Sequence, residues 1–354
     1  MSKPQPKVAI IIIHYNTPHF LKTCLDHIIK QTYKNIDIYF IDNDSPDKTG
    51  LNFVKREYGS QKTNLNGKKL HIIPNKENLG YAKAANQGSH QATDADYIVI
   101  TNPDIIYTPT YFEKIVARAE KAVHKQNMPL AGITGKVLKY DFETQKPTRI
   151  IDTVGLYISR GGRIKDGGQG HEDKGQFDEE KEVFGISGAC PLYRKEALEE
   201  ARYKDEYFDE DFFMYKEDVD ISWRLQLLGH KFLYYPKALA FHGRGTGVLK
   251  RDSIKETFKN RKRLSKFQRT YSFRNYHLML FKNLTLGNHI KNFFHLAARN
   301  VGSLLYTLVY EPFVLKSLLE YFKLLPNMMR KRRHLMKKKR AKAGRINRFM
   351  KAKP

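Results

Sequence analysis

Six consecutive apolar residues near the N-terminus, Val8 to Ile13 (VAIIII), restrict the fold of this chain more than any other feature. Strand side chains alternate between the two faces of a sheet. An unbroken apolar run therefore needs both faces covered, as in a parallel strand between helix layers. A helical pattern follows, with Phe20, Leu21, Cys24, Leu25 and Ile28 spaced behind Pro18. Ile36 to Ile41 reads as a second strand running into turn residues, Leu70 to Ile73 as a third, and Tyr81 to Ala92 as a helix. Tyr97 to Thr101 reads as a fourth strand, stopped by Asn102-Pro103-Asp104. This alternation predicts an α/β sheet with right-handed crossovers, whose ligands gather at the carboxyl ends of the strands. Polar residues crowd those ends: Asn16, Asp42 and Asp104. Further along, residues 160–175 read as a mobile loop and 184–190 (FGISGAC) as a strand. Glu217-Asp218-Val219-Asp220 opens an amphipathic helix that stops at Gly229, and two strand pieces follow, ending at His242.

Charge divides the chain in two. The formal charge of +26 comes from 63 basic and 37 acidic residues among 354. Residues 250–354 hold 28 of the basic residues and only 4 acids, so the body is close to neutral. Such an excess calls for an anionic partner. The reading is a body over 1–248, an amphipathic helical extension over 249–329, and a polybasic tail over 330–354, expected to be disordered. In the extension, Ile290, Phe293, Phe294, Ala297, Val301, Leu304, Leu305 and Leu308 fall at helical spacing, a face suited to an anionic membrane surface or to packing in a homodimer. Nucleic acid ranks last, because no RRM, KH or zinc-finger pattern occurs. Six apolar residues are too few for a signal sequence, and no run of about 18 could span a bilayer. The expected location is the cytoplasm, peripheral at the inner face of the plasma membrane. Two cysteines, Cys24 and Cys190, exclude a disulfide scaffold and a four-cysteine zinc site.

Several residue groups could carry chemistry. A carboxylate at a strand end, such as Asp104, can coordinate a hard cation that bridges two phosphates, although Asn-Pro-Asp is also an ordinary turn. Glu217, Asp218 and Asp220 suit a helix N-terminus electrostatically, and one of them could act as a base. No G-x-G-x-x-G follows the first strand and no P-loop motif is present, which disfavours dinucleotide and P-loop chemistry. A nucleotidyltransferase would want a Gly-rich phosphate loop where His14-Tyr15-Asn16 stands.

Taken in order, Ile10 to Thr17, Ile41 to Ser45, Asn78-Leu79-Gly80-Tyr81 with Asn86, Thr101 to Asp104, Ser187-Gly188-Ala189, Lys216 to Asp220 and Phe241-His242-Gly243 resemble the family 2 glycosyltransferases over roughly residues 8–247. Within that family the chain looks most like the rhamnosyltransferase-type members that build bacterial surface polysaccharides. The resemblance implies a GT-A fold (a Rossmann-like α/β domain), here followed by the basic helical extension, and an inverting transfer from a nucleotide-diphosphate sugar. It implies Asp218 as general base beside Glu217. Donor contacts would come from Tyr15, Asn16, Asp42, Asn78, Gly80, Asn86, Asn102 and Ser187, and a divalent metal, Mg²⁺ or Mn²⁺, would sit at Asp104 and His242. Where the family commonly has Asp-x-Asp this chain has Asn102-Pro103-Asp104, an amide in place of one anionic ligand. The expected reaction moves rhamnose from dTDP-rhamnose to a lipid-linked or polysaccharide acceptor. The alternatives are a UDP-sugar-dependent galactosyl, galactofuranosyl or N-acetylhexosaminyl transferase, and a degenerate scaffold that binds nucleotide without turnover.

Overall fold

The structure, a computed structural model, describes residues 5–59, 65–243 and 261–351. The apolar run forms β1 (Val8–His14) in the interior of the sheet, flanked in parallel by β2 (Ile36–Asp42) and β4 (Tyr97–Thr101), with β3 (Lys69–Pro74) parallel outside β2. Val8, Ile10 and Ile12 pack among residues of α1 (Pro18–Ile29) and α2 (Thr49–Tyr58). Ala9, Ile11 and Ile13 pack among those of α3 (Gly80–Gln91) on the opposite face. Both faces are covered, as the unbroken apolar run requires.

Past β4 the sheet becomes mixed. β11 (Pro191–Arg194) runs antiparallel to β4 and to β6 (Leu130–Asp141), while β6 pairs in parallel with β12 (Lys231–His242). β5 (Ile105–Tyr107) and β10 (Lys181–Val183) pair with β12, and β7 (Lys146–Thr153) with β6. The parallel α/β expectation holds for the N-terminal half. The segment 184–190, expected to be a strand, instead leaves the sheet as a turn. Gly185 there lies against the Ser222 side chain with no room for a Cβ, and the Ile186 amide donates to Ser222 Oγ. Residues 160–175, expected to be a mobile loop, include β9 (Ile164–Asp166), which closes a small hairpin with β8 (Leu156–Ile158).

The C-terminal part corrects a larger expectation. It forms α7 (Lys266–Asn283), α8 (Leu286–Lys291), α9 (Phe293–Tyr310), α10 (Ser317–Lys338) and α11 (Ala343–Lys351). The boundary expected at 248/249 lies outside the described residues. The expected disordered tail over 330–354 is helical through Lys351, because its apolar and basic residues find partners on the body. Met328, Leu335, Ile346, Phe349 and Met350 are buried in the core shared with α6 (Glu217–Leu227). Lys331 Nζ lies 2.5 Å from Asp209 Oδ1, 2.6 Å from Glu206 Oε2 and 2.9 Å from Asp211 Oδ2. Arg345 donates to Gln226 Oε1 at 2.8 Å and to the His230 carbonyl at 2.6 Å, which fixes α11 beneath α6. Among the described residues no helix is long and apolar enough to cross a membrane.

A buried acid stripped of its cation keeps its desolvation penalty, so Lys331→Met is expected to lower stability by about 3–5 kcal/mol in urea unfolding. Deleting residues 330–354 should lower Tm as well. An unchanged Tm in the deletion would mean that the tail does not anchor the fold.

Candidate active site

The carboxyl ends of β1, β2 and β4 open into a cleft of about 710 Å³ where Tyr15, Asn43, Asn78, Gly80, Asn102 and Asp104 meet. Tyr15 is 46% exposed, which leaves its ring free to stack on a flat ligand. Asn78 and Asn43 tie the rim together: Asn43 Nδ2 donates to Asn78 Oδ1 at 3.0 Å, and the same oxygen accepts from the Gly80 amide at 2.9 Å. Gly80 is irreplaceable on two counts, since its φ is +76° and a Cβ would collide with the Phe213 ring.

Three expected donor contacts lie elsewhere. Asp42 has no solvent exposure; its Oδ1 accepts from Ser45 Oγ at 2.6 Å and lies 2.9 Å from His14 Nδ1. The Thr17 amide donates to His14 Nε2, so the proton of the imidazole belongs on Nδ1, facing Asp42. Burial lowers the His14 pKa against the pull of Asp42. Asp42 thus braces the first strand end while its neighbour Asn43 meets the cleft. Asn86 is also buried and clamps the segment 207–210: its Oδ1 accepts from the Tyr207 and Phe208 amides, and its Nδ2 donates to Phe208 O and Glu210 Oε1. Asn16 is exposed in a left-handed backbone conformation and does not line the cleft.

Asp104 and His242 do come together. β5 pairs with the end of β12, placing His242 opposite Ile105, and His242 Nε2 lies 3.3 Å from Asp104 Oδ2. The other ring nitrogen lies 2.8 Å from Asp152 Oδ2 on β7. Burial alone would lower the His242 pKa, but the carboxylates of Asp104 and Asp152 outweigh it and raise it to about 9. Asp104 Oδ1 is buried without a hydrogen-bond partner among the described residues. An orphaned carboxylate oxygen beside an imidazole held from behind by an acid fits a divalent cation. The described residues provide no group of three or more such ligands, so further ligands would have to come from the donor's phosphates or water.

The second half of the cleft is lined by Asp166, Ser187, Gly188, Glu217, Asp218 and His242. Asp218 Oδ2 accepts from the Gly188 amide at 2.9 Å, and Oδ1 from the Val219 amide at 2.8 Å. Burial raises the Asp218 pKa, with Asp166 adding to it, against these amide donors and Lys216. Glu217 is more deeply placed, and burial together with the Asp218 charge raises it to about 8. The acid pair is delivered by a strained turn in which Phe213, Tyr215 and Lys216 all have positive φ (62°, 69° and 76°). Such a backbone persists only when its surroundings hold it. Asn275 on α7 supplies the hold: its Nδ2 donates to the carbonyls of Phe212, Met214 and Tyr215 at 2.8, 2.8 and 2.9 Å. Arg274 adds bonds to the Asp211 and Phe212 carbonyls.

Five further residues reach the site or brace it without any signal in the sequence: Asn275, Asp152, Asp166, Phe267 and Gln268. Phe267 and Gln268 line the cleft from α7, so the extension completes the site's wall. No motif marks any of the five, because each gains its role from a partner more than 50 residues away or from the folding of the extension over the body.

A parallel sheet that turns mixed beyond β4, with an acidic strand end facing an acidic helix start across one cleft, defines a GT-A glycosyltransferase. The chain belongs to glycosyltransferase family 2, whose family model (Glycosyl transferase family 2) matches residues 9–202. It is 25% identical over 251 residues to the N-acetylglucosaminyl-diphospho-decaprenol L-rhamnosyltransferase of Mycobacterium tuberculosis, covering 66% of this chain and 75% of the relative. It is 26% identical over 248 residues to the glycosyltransferase GlyA of Streptococcus pneumoniae, covering 69% of this chain but 32% of that longer protein. Among solved structures it shares its fold with GalNAc-T7 bound to UDP, GalNAc and Mn²⁺ (TM-score 0.56, 14% identity, 79% of this chain and 48% of that one). It also shares it with the mannosyltransferase PcManGT of Pyrobaculum calidifontis bound to GDP-Man and Mn²⁺ (TM-score 0.50, 15% identity, 94% and 86%). The chain spans about half the length of the GalNAc-T7 structure.

Asn275→Asp keeps the shape but replaces the donor with a carboxylate facing three carbonyls. It is expected to reduce glycosyl transfer by about 10² or more while nucleotide binding at the opposite end persists, measured by kinetics and calorimetry side by side. Glu217 makes a pH prediction. Its folded pKa of about 8 lies above the ordinary 4.5, so its contribution to stability is full below 4.5 and is lost as pH rises toward 8. Glu217→Gln should therefore match the parent near about pH 5 and exceed it by at least about 1 kcal/mol near pH 9, read from urea unfolding.

Proposed function

We propose that this chain is an inverting, metal-assisted glycosyltransferase that moves rhamnose from dTDP-rhamnose to a lipid-linked acceptor in bacterial cell-surface glycan synthesis. The observation that carries the reading is the single cleft, with the orphaned Asp104 carboxylate and His242 on one side and Asp218, fixed by two backbone amides, on the other. The choice of sugar and of acceptor class is supported by similarity to the mycobacterial rhamnosyltransferase, whose name includes a diphospho-decaprenol acceptor.

In this reading Tyr15, Asn43 and Asn78 receive the nucleotide, and Asn102, Gly80 and Ser187 border the sugar. Asp104 and His242 would hold the cation, Mg²⁺ or Mn²⁺, which when bound neutralises charge on the departing diphosphate. Asp152 holds the Nδ1 proton of His242, while the raised pKa keeps a second proton on Nε2 facing Asp104, and that proton would have to leave for Nε2 to ligate. Asp218 takes the proton from the acceptor hydroxyl. The oxygen then attacks the anomeric carbon from the face opposite the diphosphate, the bond to the phosphate oxygen breaks, and configuration inverts. Burial raises the Asp218 pKa and so strengthens it as a base, while the Gly188 and Val219 amides pull toward its ionised form. Glu217, held protonated at neutral pH, can donate a hydrogen bond in the same pocket.

Asp218→Asn should lower kcat by about 10²–10⁴ with donor binding retained. Thermal unfolding against dTDP, dTDP-rhamnose, UDP and UDP-sugars, each with Mn²⁺, Mg²⁺ or EDTA, tests the donor. At about 100 times Kd the right nucleotide adds about 2.7 kcal/mol, and the shift should vanish with EDTA and in Asp104→Ala. A shift with UDP alone would make the donor a UDP-sugar. Full transfer by Asp218→Asn would remove the assigned base.

A further inference from the structure

Helix α9 turns most of its apolar residues away from the protein. On an ordinary surface helix the apolar stripe faces the protein and the polar side faces water. Here the side toward the protein carries Leu296 and Thr307, both buried, and Arg299, which donates to the Tyr276 hydroxyl at 2.9 Å. The side left open carries Phe294 (81% exposed), Val301, Leu304, Leu305, Leu308 and Val309. The stripe continues onto neighbouring helices through Leu286 and Ile290 on α8 and Leu319 and Phe322 on α10. Of the 15 large hydrophobic side chains that are exposed among the described residues, 13 lie between 286 and 329, and the other two, Tyr15 and Phe267, line the cleft. A concentration of this kind marks a surface made for an apolar medium.

Charge identifies the medium. The exposed cations framing the stripe, Lys291, Lys316, Lys323 and Arg330, have no ion-pair partner among the described residues. Both acids of the same segment are taken: Glu311 is buried against Arg261 and Arg269, and Glu320 binds Arg274. A second copy of the chain would bring like charges together across such a face, whereas an anionic leaflet complements it. We propose that the open faces of α8, α9 and α10 lie in the headgroup and acyl boundary of an anionic bilayer, with the apolar stripe inserted and these cations on lipid phosphates. The apolar residues of the last helix, Ile346, Phe349 and Met350, are turned inward together with Lys331, so the inserted apolar element is the extension, α9 above all. The same helix connects to the site: Gly161 packs on Arg299, and Gly162 sits between Leu280 and Leu296, at the tip of the hairpin whose β9 borders the Asp218 half of the cleft. Insertion would thus bring that half of the cleft to the membrane, where a lipid-borne acceptor resides, a role that rests on the proposed function.

The test is flotation of the full chain with vesicles of phosphatidylcholine alone or mixed equally with phosphatidylglycerol, at ~0.15 M salt. Phe294→Glu/Leu305→Glu and Lys316→Glu/Lys323→Glu change only positions that solvent already reaches, and unchanged Tm confirms folding. The parent should float with the anionic vesicles, and each double variant should lose binding by roughly tenfold or more. The proposal is overturned if the parent ignores anionic vesicles, if Phe294→Glu/Leu305→Glu floats equally well, or if sedimentation shows a dimer that this variant splits while vesicles go unbound. Transfer to a short-chain, water-soluble acceptor separates the two readings. Variants that leave the vesicles yet transfer to it support both. A parent that floats but transfers to no lipid-linked acceptor leaves the face standing and removes the acceptor assignment.

Discussion

The carboxylate of Asp220 has no access to water, and it is held from both parts of the molecule. Arg224 of its own helix lies 2.8 Å away, and Lys282 and Asn283 of α7 approach to 2.8 and 2.7 Å. Lys282 also pairs with Asp209, which meets Lys331 from α10. These charges are too deeply buried to remain unpaired, so the helix that carries Glu217 and Asp218 cannot keep its place unless the C-terminal helices are docked. Geometry at the reacting end of the cleft depends on this network.

The network also explains how an unfavourable backbone survives. Three left-handed residues within four positions would relax in an isolated loop, yet Asn275 satisfies three carbonyls at once and Gly80 leaves room for the Phe213 ring. The strain delivers two neighbouring acids into one pocket with different proton affinities. Burial and the Asp218 charge raise the Glu217 pKa to about 8, whereas at Asp218 burial also raises it but two amides pull back toward the anion. Adjacent carboxyls thus meet different hydrogen-bonding environments.

The large positive charge of the C-terminal region serves two purposes. Lys282, Lys331, Arg274 and Arg345 are turned inward to acids and carbonyls of the body, where they fix the extension to the segments around the helix that carries Glu217 and Asp218. Lys316, Lys323 and Arg330 stay outside, beside an apolar stripe that the body does not cover. Net charge counts both sets alike, so composition alone overstates what is available to an external partner.

Local rules were enough to read the sequence where they operate. The run 8–13, the strand at 97–101 and the helix opening at Glu217 follow from side-chain period and capping chemistry, and their order carried the family resemblance. Among the expected site residues, Tyr15, Asn78, Gly80, Asn102, Asp104, Ser187, Glu217, Asp218 and His242 do line or border one cleft. Asp42 and Asn86 do not, although they are as polar and as well placed in sequence, because Asp42 is sealed beneath the strand end against Ser45 and His14 and Asn86 spends its hydrogen bonds on the segment 207–210. The segment 184–190 has strand-forming composition, but a close approach to Ser222 bends it away. The pairing of Lys331 with Asp209, or of Asn275 with the turn before Glu217, joins residues 60 to 122 positions apart. Sequence determined which segments could form strands and helices and which residues could do chemistry. Tertiary structure alone decided which polar groups face the cleft, which cations face inward and which apolar stripe remains open, since burial and pairing belong to contacts between distant segments and not to any one of them.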